Sequence, residues 1–275
     1  MSIYARILSN FKSDIEFLLC TYFPIRDRIL YVINKYVAIF VNKRKISYAG
    51  YDFEYDTRVG PLILQFYPGD IHMVDKAIDL SRVTTVLDIG ANIGQWAFTA
   101  KAFFPHLKIF SFEPNNVAFK KLKKNASNFR DWKVFNYAIG RKTRTRTLFF
   151  TSNSTIGGSF FKNIAGEFSR RSDIRKTVVL VVSLTKAIMK KLGLPVKVDL
   201  VKIDVEGAEL EVLKSLKNIA FKYLVVEVPL KSKRKANTRI VEEIVRREFN
   251  KKAMLLYVRP IGSLGIVADA VYELT

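Results

Sequence analysis

Two carboxylates, Asp204 and Glu206, follow an apolar run in Val201-Lys202-Ile203-Asp204-Val205-Glu206-Gly207. At a strand end, residues two apart project to the same side. The pair can therefore orient a substrate hydroxyl, accept its proton or hold a divalent cation. Either acid can instead cap a helix that starts at Gly207. A second polar set is Asp88-Ile89-Gly90-Ala91-Asn92-Ile93-Gly94, again after an apolar run. Glycine permits a sharp turn and close approach of a ligand, and a following helix offers its first amide groups. The third is Glu113, in Phe110-Ser111-Phe112-Glu113-Pro114. An acid at the tip of a second strand can accept hydrogen bonds from both hydroxyls of a ribose. It can also be an ordinary helix N-terminal acid, favoured by the dipole.

The glycine turn differs from a dinucleotide loop. That loop reads G-x-G-x-x-G and holds a pyrophosphate against the helix start. Here Gly90 and Gly94 stand four apart with Asn92 between them, and Asp88 precedes the first glycine, where it would repel a phosphate. A cationic, phosphate-free ligand suits the turn better. S-adenosylmethionine (SAM) carries an ammonium and a sulfonium and has no phosphate.

These residues need a scaffold that brings several strand ends together. From Thr85 onward, apolar runs at 85–89, 108–112, 133–137, 198–203, 222–228, 254–258 and 267–274 read as strands. Helical periodicity covers 93–103, 115–127, 183–192, 207–218 and 237–249. Strand–helix alternation with nearly continuous apolar strands predicts an α/β fold, a mostly parallel sheet covered on both faces. The last two strands lack an intervening helix and predict an antiparallel edge. In such a sheet the ligand sits at the carboxyl ends of the strands. Upstream, residues 1–45 read as amphipathic helix, 46–56 as a hairpin around Ala49-Gly50, and 71–80 as a helix leading into the main domain. The expected division is an N-terminal extension, 1–69, and a catalytic domain, 70–275.

Composition bounds the partners. The chain has 275 residues, 49% hydrophobic and 26% charged, enough for a large core and unlike a disordered protein. Lys and Arg number 46 against 25 Asp and Glu, a formal net charge of +21. Such a field attracts nucleic acid, anionic lipid or acidic glycan, or it belongs to a solvated lysine-rich surface. Residues 26–45 combine an apolar face with basic flanks, a pattern that fits docking on the protein's own domain or on an anionic membrane surface. No run reaches the roughly 20 apolar residues that span a bilayer, and nothing reads as a signal peptide. A single cysteine, Cys20, leaves no internal disulfide and fits a cytoplasmic location, peripheral to the membrane if residues 26–45 dock there. His72 and His106 are the only histidines. His106 reads as a loop bystander, and His72 as a residue able to reach the substrate.

Taken together, the blocks Leu87-Asp88-Ile89-Gly90-Ala91-Asn92-Ile93-Gly94, Phe112-Glu113-Pro114, Asn136-Tyr137-Ala138-Ile139-Gly140, Gly158-Ser159, Val182-Ser183-Leu184 and Val201 through Leu213 resemble the FkbM family of SAM-dependent methyltransferases. The resemblance spans roughly residues 70–230. It implies a Rossmann-like class I methyltransferase with a seven-stranded sheet of order 3-2-1-4-5-7-6, and methylation of a hydroxyl oxygen, often on a sugar or a polyketide-type product. The expected acceptor is therefore a hydroxyl on a sugar, glycan, lipid-linked or other small molecule. By position it implies that Asp88, Gly90, Asn92 and Gly94 hold the amino-acid part of SAM, that Glu113 binds the ribose, and that Asn136 and Ala138 lie by the adenine. Asp204 and Glu206 would be catalytic, with Glu209 and His72 near the substrate. No metal site is expected, and a divalent metal held by Asp204 and Glu206 is possible but not required. The sequence departs at Thr185, where the family often has Asp. Two other readings stand beside this one. The +21 charge favours a nucleic-acid methyltransferase, although the N-P-P-[YF] amine-methylation motif is absent after the fourth strand. The other is a SAM-binding protein without catalysis, which the intact acid set opposes. Oligomeric state is open.

Overall fold

Thr85-Val86-Leu87-Asp88-Ile89 is buried almost throughout, as expected of a central strand packed on both faces. It is the middle of the main sheet in a computed structural model that describes residues 14–15, 18–19, 24–40, 45–48, 50–55, 66–151, 154–165, 174–232, 235–261 and 267–275. In chain order the elements before it are α1 (Ile25–Phe40), the hairpin β1 (Lys45–Tyr48) and β2 (Tyr51–Glu54), and α2 (Phe66–Ile78). Then follow β3 (Thr85–Ile89), α3 (Gln95–Phe103), β4 (Lys108–Phe112), α4 (Asn116–Ala126) and β5 (Trp132–Phe135). A second group comprises β6 (Ala138–Ile139), β7 (Arg144–Thr151), β8 (Ser154–Ser159), α5 (Lys162–Ala165) and β9 (Ile174–Val182). The chain ends with α6 (Lys186–Leu192), β10 (Lys197–Ile203), α7 (Glu209–Ser215), β11 (Ala220–Ser232), β12 (Lys235–Ala236), α8 (Thr238–Phe249), β13 (Ala253–Ile261) and β14 (Val267–Leu274).

The main sheet runs β13-β14-β11-β10-β3-β4-β5, with the short β12 paired to β11. Counted along its seven long strands this is the order 3-2-1-4-5-7-6. β5, β4, β3, β10 and β11 are parallel, and β14 and β13 close the edge antiparallel. Register matters for the site. Asp88 on β3 lies level with Ser111 on β4 and with Lys202 on β10. Two apolar layers cover the sheet. One contains Trp96, Phe98, Phe104 and Trp132, the other Phe112, Leu213, Leu224 and Tyr272. α8 shows how its sequence sets its orientation: Val241, Ile244 and Val245 face the core at helical spacing while its charged residues point away.

Several elements differ from expectation. α2 starts at Phe66 and stops at Ile78, where Asp79 takes a left-handed conformation and a 3-10 turn follows. The third strand ends at Phe135, because the Asn136 amide turns to donate to the carbonyls of Glu113 and Pro114. Residues 141–177, where the sequence predicts neither strand nor helix, contain most of a second sheet ordered β6-β9-β7-β8. Lys231 and Ser232 extend β11 beyond the expected 222–228, Lys235 begins β12, and 233–234 lie outside the described residues. Helix across 1–45 is seen as α1; most of what precedes it, and 41–44, lie outside the described residues.

The extension shares the main core. Phe53 and Tyr55 are fully buried with Phe98, and Phe53 meets Phe98 edge-on at 4.8 Å between ring centres. Asn125 on α4 clips the hairpin by donating to Glu54 O (3.0 Å) and accepting from Glu54 N (2.8 Å). Along α1, Val32 packs on this core, whereas Ile25, Ile29, Leu30, Ile33 and Val37 are exposed. Among the described residues no helix is long and apolar enough to cross a membrane.

Candidate active site

The carboxyl ends of β3, β4 and β10 meet around one cavity. It encloses about 840 Å3 of empty space, part of it open to solvent. The turn after β3 forms one wall. Gly90 and Ala91 both donate to Phe112 O at 3.0 Å, which binds the turn to the end of β4. Gly90 and Asn92 adopt positive φ, 88° and 51°. Gly94 also has φ near 91°, and a Cβ there would press on Leu122 and Trp132 at 2.8 Å. Its role is thus packing of the turn; it does not line the cavity, whereas Gly90, Ala91 and Asn92 do.

Glu113 is the centrepiece of this wall. Its Oε2 accepts from Asn92 N (2.9 Å) and its Oε1 from Asn115 N (2.7 Å). The carboxylate therefore clamps the glycine turn to the end of β4, and each oxygen keeps a further lone pair for a ligand. Burial pushes its pKa up to about 7; the two backbone N–H groups oppose that shift without cancelling it. Ala138 and Tyr137 line the cavity beyond it, while Asn136 stays outside, bracing the end of β4.

Asp88 lies beneath the cavity floor and is not part of the lining. Its Oδ2 accepts from Ser111 Oγ (2.9 Å), which itself accepts from Trp132 Nε1 (2.9 Å). Its Oδ1 lies 3.8 Å from the Lys202 ammonium. Lys202 in turn holds Asp204 Oδ2 at 2.9 Å, and both line the cavity. Burial alone would push the Lys202 ammonium down, but the carboxylates of Asp204 and Asp88 outweigh it and hold the group above the usual lysine range. Lys202 was missed by sequence reasoning. A lysine inside Asp199-Leu200-Val201-Lys202-Ile203 was the available signal, since a charge in a doubly covered strand needs a buried partner.

The opposite wall is the turn after β10. Asp204 and Glu206 line the cavity, with Glu206 at a left-handed φ of 54°. Glu209 does not line it; its carboxylate folds back to accept from Gly207 N (2.9 and 3.1 Å) and Val205 N (3.2 Å), shaping the turn from behind. The second sheet roofs the cavity with Leu148 and Gly158, joined by Phe160 just after β8. It is tied to the turn by Ser159 Oγ, which donates to Glu206 O at 2.7 Å. Thr185, the departure noted in the sequence, caps α6 by accepting from Ile188 N. His72 is in α2, and its side chain lies outside the described residues. His106 sits in an exposed turn, its Nε2 3.0 Å from Val83 O.

The lining joins apolar surfaces (Phe112, Ile139, Val205, Val212) to a strongly acidic polar set, Glu113, Asp204 and Glu206, with Lys202 as the countercharge. Asn92 Oδ1 is buried without a hydrogen-bond partner, an acceptor left for something else. Among the described residues no group of three or more His, Cys, Asp or Glu is placed to hold a metal ion.

Residues 88–250 match the model of the methyltransferase FkbM domain. The chain belongs to the FkbM methyltransferase family. It is 26% identical over 158 residues to "Methyltransferase 1" of Beauveria bassiana (strain ARSEF 2860), a match covering 52% of this chain and 64% of that protein. It is 27% identical over 175 residues to "Methyltransferase sdnD" of Sordaria araneosa, covering 52% and 65%. The chain thus spans just under two thirds of either relative. Among solved structures it is similar to M. jannaschii TYW2 in complex with AdoMet, at 13% identity and a TM-score of 0.45 over 84% of this chain and 86% of that one. The cavity of this FkbM-family chain lies wholly within the matched span.

Proposed function

We propose that the chain is a SAM-dependent O-methyltransferase whose acceptor is a hydroxyl on a sugar, glycan, lipid-linked or other small molecule. The observation that carries this reading is the acidic cavity itself. In a chain of net charge +21, the cavity at the ends of β3, β4 and β10 presents Glu113, Asp204, Glu206 and the unpartnered Asn92 Oδ1. Such a lining favours a cationic ligand and opposes phosphate. Its volume is within the ~300–1,000 Å3 common for small-ligand pockets. Asn92 and the backbone of the glycine turn would hold the amino-acid part of SAM, Glu113 its ribose, and Ala138 and Tyr137 would lie by the adenine. Bound there, SAM supplies an electrophilic methyl group. The acceptor oxygen bonds to the methyl carbon as the carbon–sulfur bond breaks, the electron pair stays on sulfur, and the hydroxyl proton must leave. Asp204 and Glu206 are the carboxylates at that end of the cavity, and alignment of acceptor and methyl group is the main task of the surrounding walls.

Titration calorimetry with SAM tests this. Affinity is expected in the micromolar range above pH 7. It should weaken on the order of tenfold per pH unit below about 7, because the anionic form of Glu113 is the one that binds. Glu113→Gln should remove that pH dependence, and Glu113→Ala should weaken binding about 30- to 150-fold, as loss of a charge-assisted contact of ~2–3 kcal/mol implies. The same shift has a stability consequence. The folded carboxyl titrates above its unfolded value, so the native state holds more protons between about 4.5 and 7, and this group's contribution to stability falls as pH rises through that window. Absence of SAM binding in the wild type would remove the reading.

The net charge favours a second acceptor, nucleic acid. In that case methyl label from SAM would enter RNA, and binding would weaken steeply with salt.

A further inference from the structure

A smaller cavity adjoins the first at the carboxyl end of the sheet. Trp96, Lys202 and Asp204 line both, and Met73, Val74, Ile203, Val225, Glu227 and Asp269 complete the second. Glu227 is in β11, one residue beyond the pair Val226 and Ile203, and faces Asp269 across the antiparallel pairing with β14. The cavity's other charges are committed. Lys202 holds Asp204 and lies by Asp88, and Asp269 pairs with Arg259 at 3.2 Å. Among the described residues no cation or hydrogen-bond donor is bonded to Glu227.

We propose that this second cavity receives the acceptor and that Glu227 is the catalytic residue taking the proton from its hydroxyl. The assignment rests on the methyltransferase reading above and names a residue outside the pair Asp204 and Glu206. The hydroxyl O–H bond breaks, its electron pair stays on the acceptor oxygen to form the new bond to carbon, and the proton passes to a Glu227 carboxylate oxygen. Position supports this, because the cavity shares a wall with the one assigned to SAM, so an acceptor there reaches the methyl group past Lys202 and Asp204. Proton affinity supports it too. Burial, then the charges of Asp204, Glu206, Glu209 and Asp269, push the Glu227 carboxyl up to about 9, far more basic than an ordinary glutamate. Lys202 and Arg259 are the facing cations, each already neutralised by a carboxylate. The same acidic surroundings define the acceptor class: a neutral alcohol or polyol is admitted, and a polyanion is repelled.

The test follows tritium from [methyl-3H]SAM into a total cell extract separated into lipid, glycan, small-molecule, RNA and protein fractions, with SAM binding measured in parallel on the full chain. Label is expected in a lipid, glycan or small-molecule fraction; label in RNA overturns the acceptor class. Glu227→Gln should bind SAM within about twofold of wild type yet transfer methyl on the order of 10²-fold more slowly, with partial recovery in Glu227→Asp. Wild-type rate should rise with pH toward about 9, and Glu227→Gln should lose that rise. Asp269→Asn removes a neighbouring negative charge and should move the rise to lower pH with SAM binding unchanged. Transfer by Glu227→Gln within threefold of wild type, or with the same pH profile, overturns the assignment. A wild type that fails to bind SAM is a different failure, of the methyltransferase reading itself.

Discussion

Gly90→Ala is expected to destabilise the chain by about 2–5 kcal/mol, combining ~1–2 kcal/mol for a left-handed non-glycine residue with ~1–3 kcal/mol for overpacking. Gly90 has φ +88°, and a Cβ there would fall 1.7 Å from the carbonyl oxygen of Asp204 and 3.1 Å from Val205 Cγ1. The obstruction is backbone, and that backbone is held: Asp204 N donates to Ile89 O at 2.9 Å, and Gly90 N is fixed to Phe112 O. Neither side can retreat without opening the β3–β10 pairing. Two controls separate the causes. Gly50 also has positive φ, +82°, but nothing lies within 4 Å of its would-be Cβ, so Gly50→Ala reports the conformational cost alone. Gly158→Ala meets neither problem and should be near neutral. Urea unfolding measures all three. If Gly90→Ala loses no more than Gly50→Ala, close approach of the two turns is not what the glycine serves. SAM binding should fall with it, since the same contact sets the spacing of the two cavity walls.

That contact also shows how far sequence reasoning reached. Gly90, Asn92, Glu113, Asp204 and Glu206 were legible because their chemistry lies in turns after apolar runs, where polar residues stand out. All five line one cavity. The sheet was legible for the same reason, its central strands being buried on both faces and thus continuously apolar. The second sheet was not. Arg144-Thr145-Arg146-Thr147 is mostly exposed and alternates cations with threonines, so it reads as loop, although it pairs residue by residue with β9. Side-chain direction was also hidden. Spacing cannot tell that Glu209 turns back onto Val205 and Gly207, or that Asp88 is a neighbour of the site rather than part of its lining. Glu227 and Lys202 escaped notice because each stands between apolar neighbours within a strand, Val226 and Val228 for one, Val201 and Ile203 for the other. Only the parallel register places Lys202 beside Asp88, and only the antiparallel edge places Glu227 beside Asp269.

The Lys202–Asp88 neighbourhood carries the other large expected effect. Lys202→Met should cost about 3–5 kcal/mol at pH 8, the usual result of removing one partner from a buried ion pair. The cost comes from Asp88 more than from Asp204. Both carboxylates lose their cation, but the Asp204 side chain is 40% exposed and can turn to water, whereas that of Asp88 is 1% exposed. Burial already pushes the Asp88 carboxyl up, with Lys202 and Ser111 holding it down. Without the ammonium it rises further and Asp88 becomes neutral more readily. A carboxyl that titrates higher folded than unfolded keeps extra protons in the native state, so stability falls as pH rises between the two values. The variant should therefore be closer to wild type at pH 5 than at pH 8. Adding Asp88→Asn removes the stranded charge while leaving a side chain that Ser111 can still meet. The double variant should recover to within about 1–2 kcal/mol of wild type, since an ion pair replaced as a unit is often near neutral. Urea unfolding of both variants at the two pH values decides it. A single variant within about 1 kcal/mol of wild type at pH 8, or a double variant no more stable than the single, would mean that Ser111 and solvent already satisfy Asp88. Lys202 would then serve only to hold Asp204 against the wall shared by the two cavities.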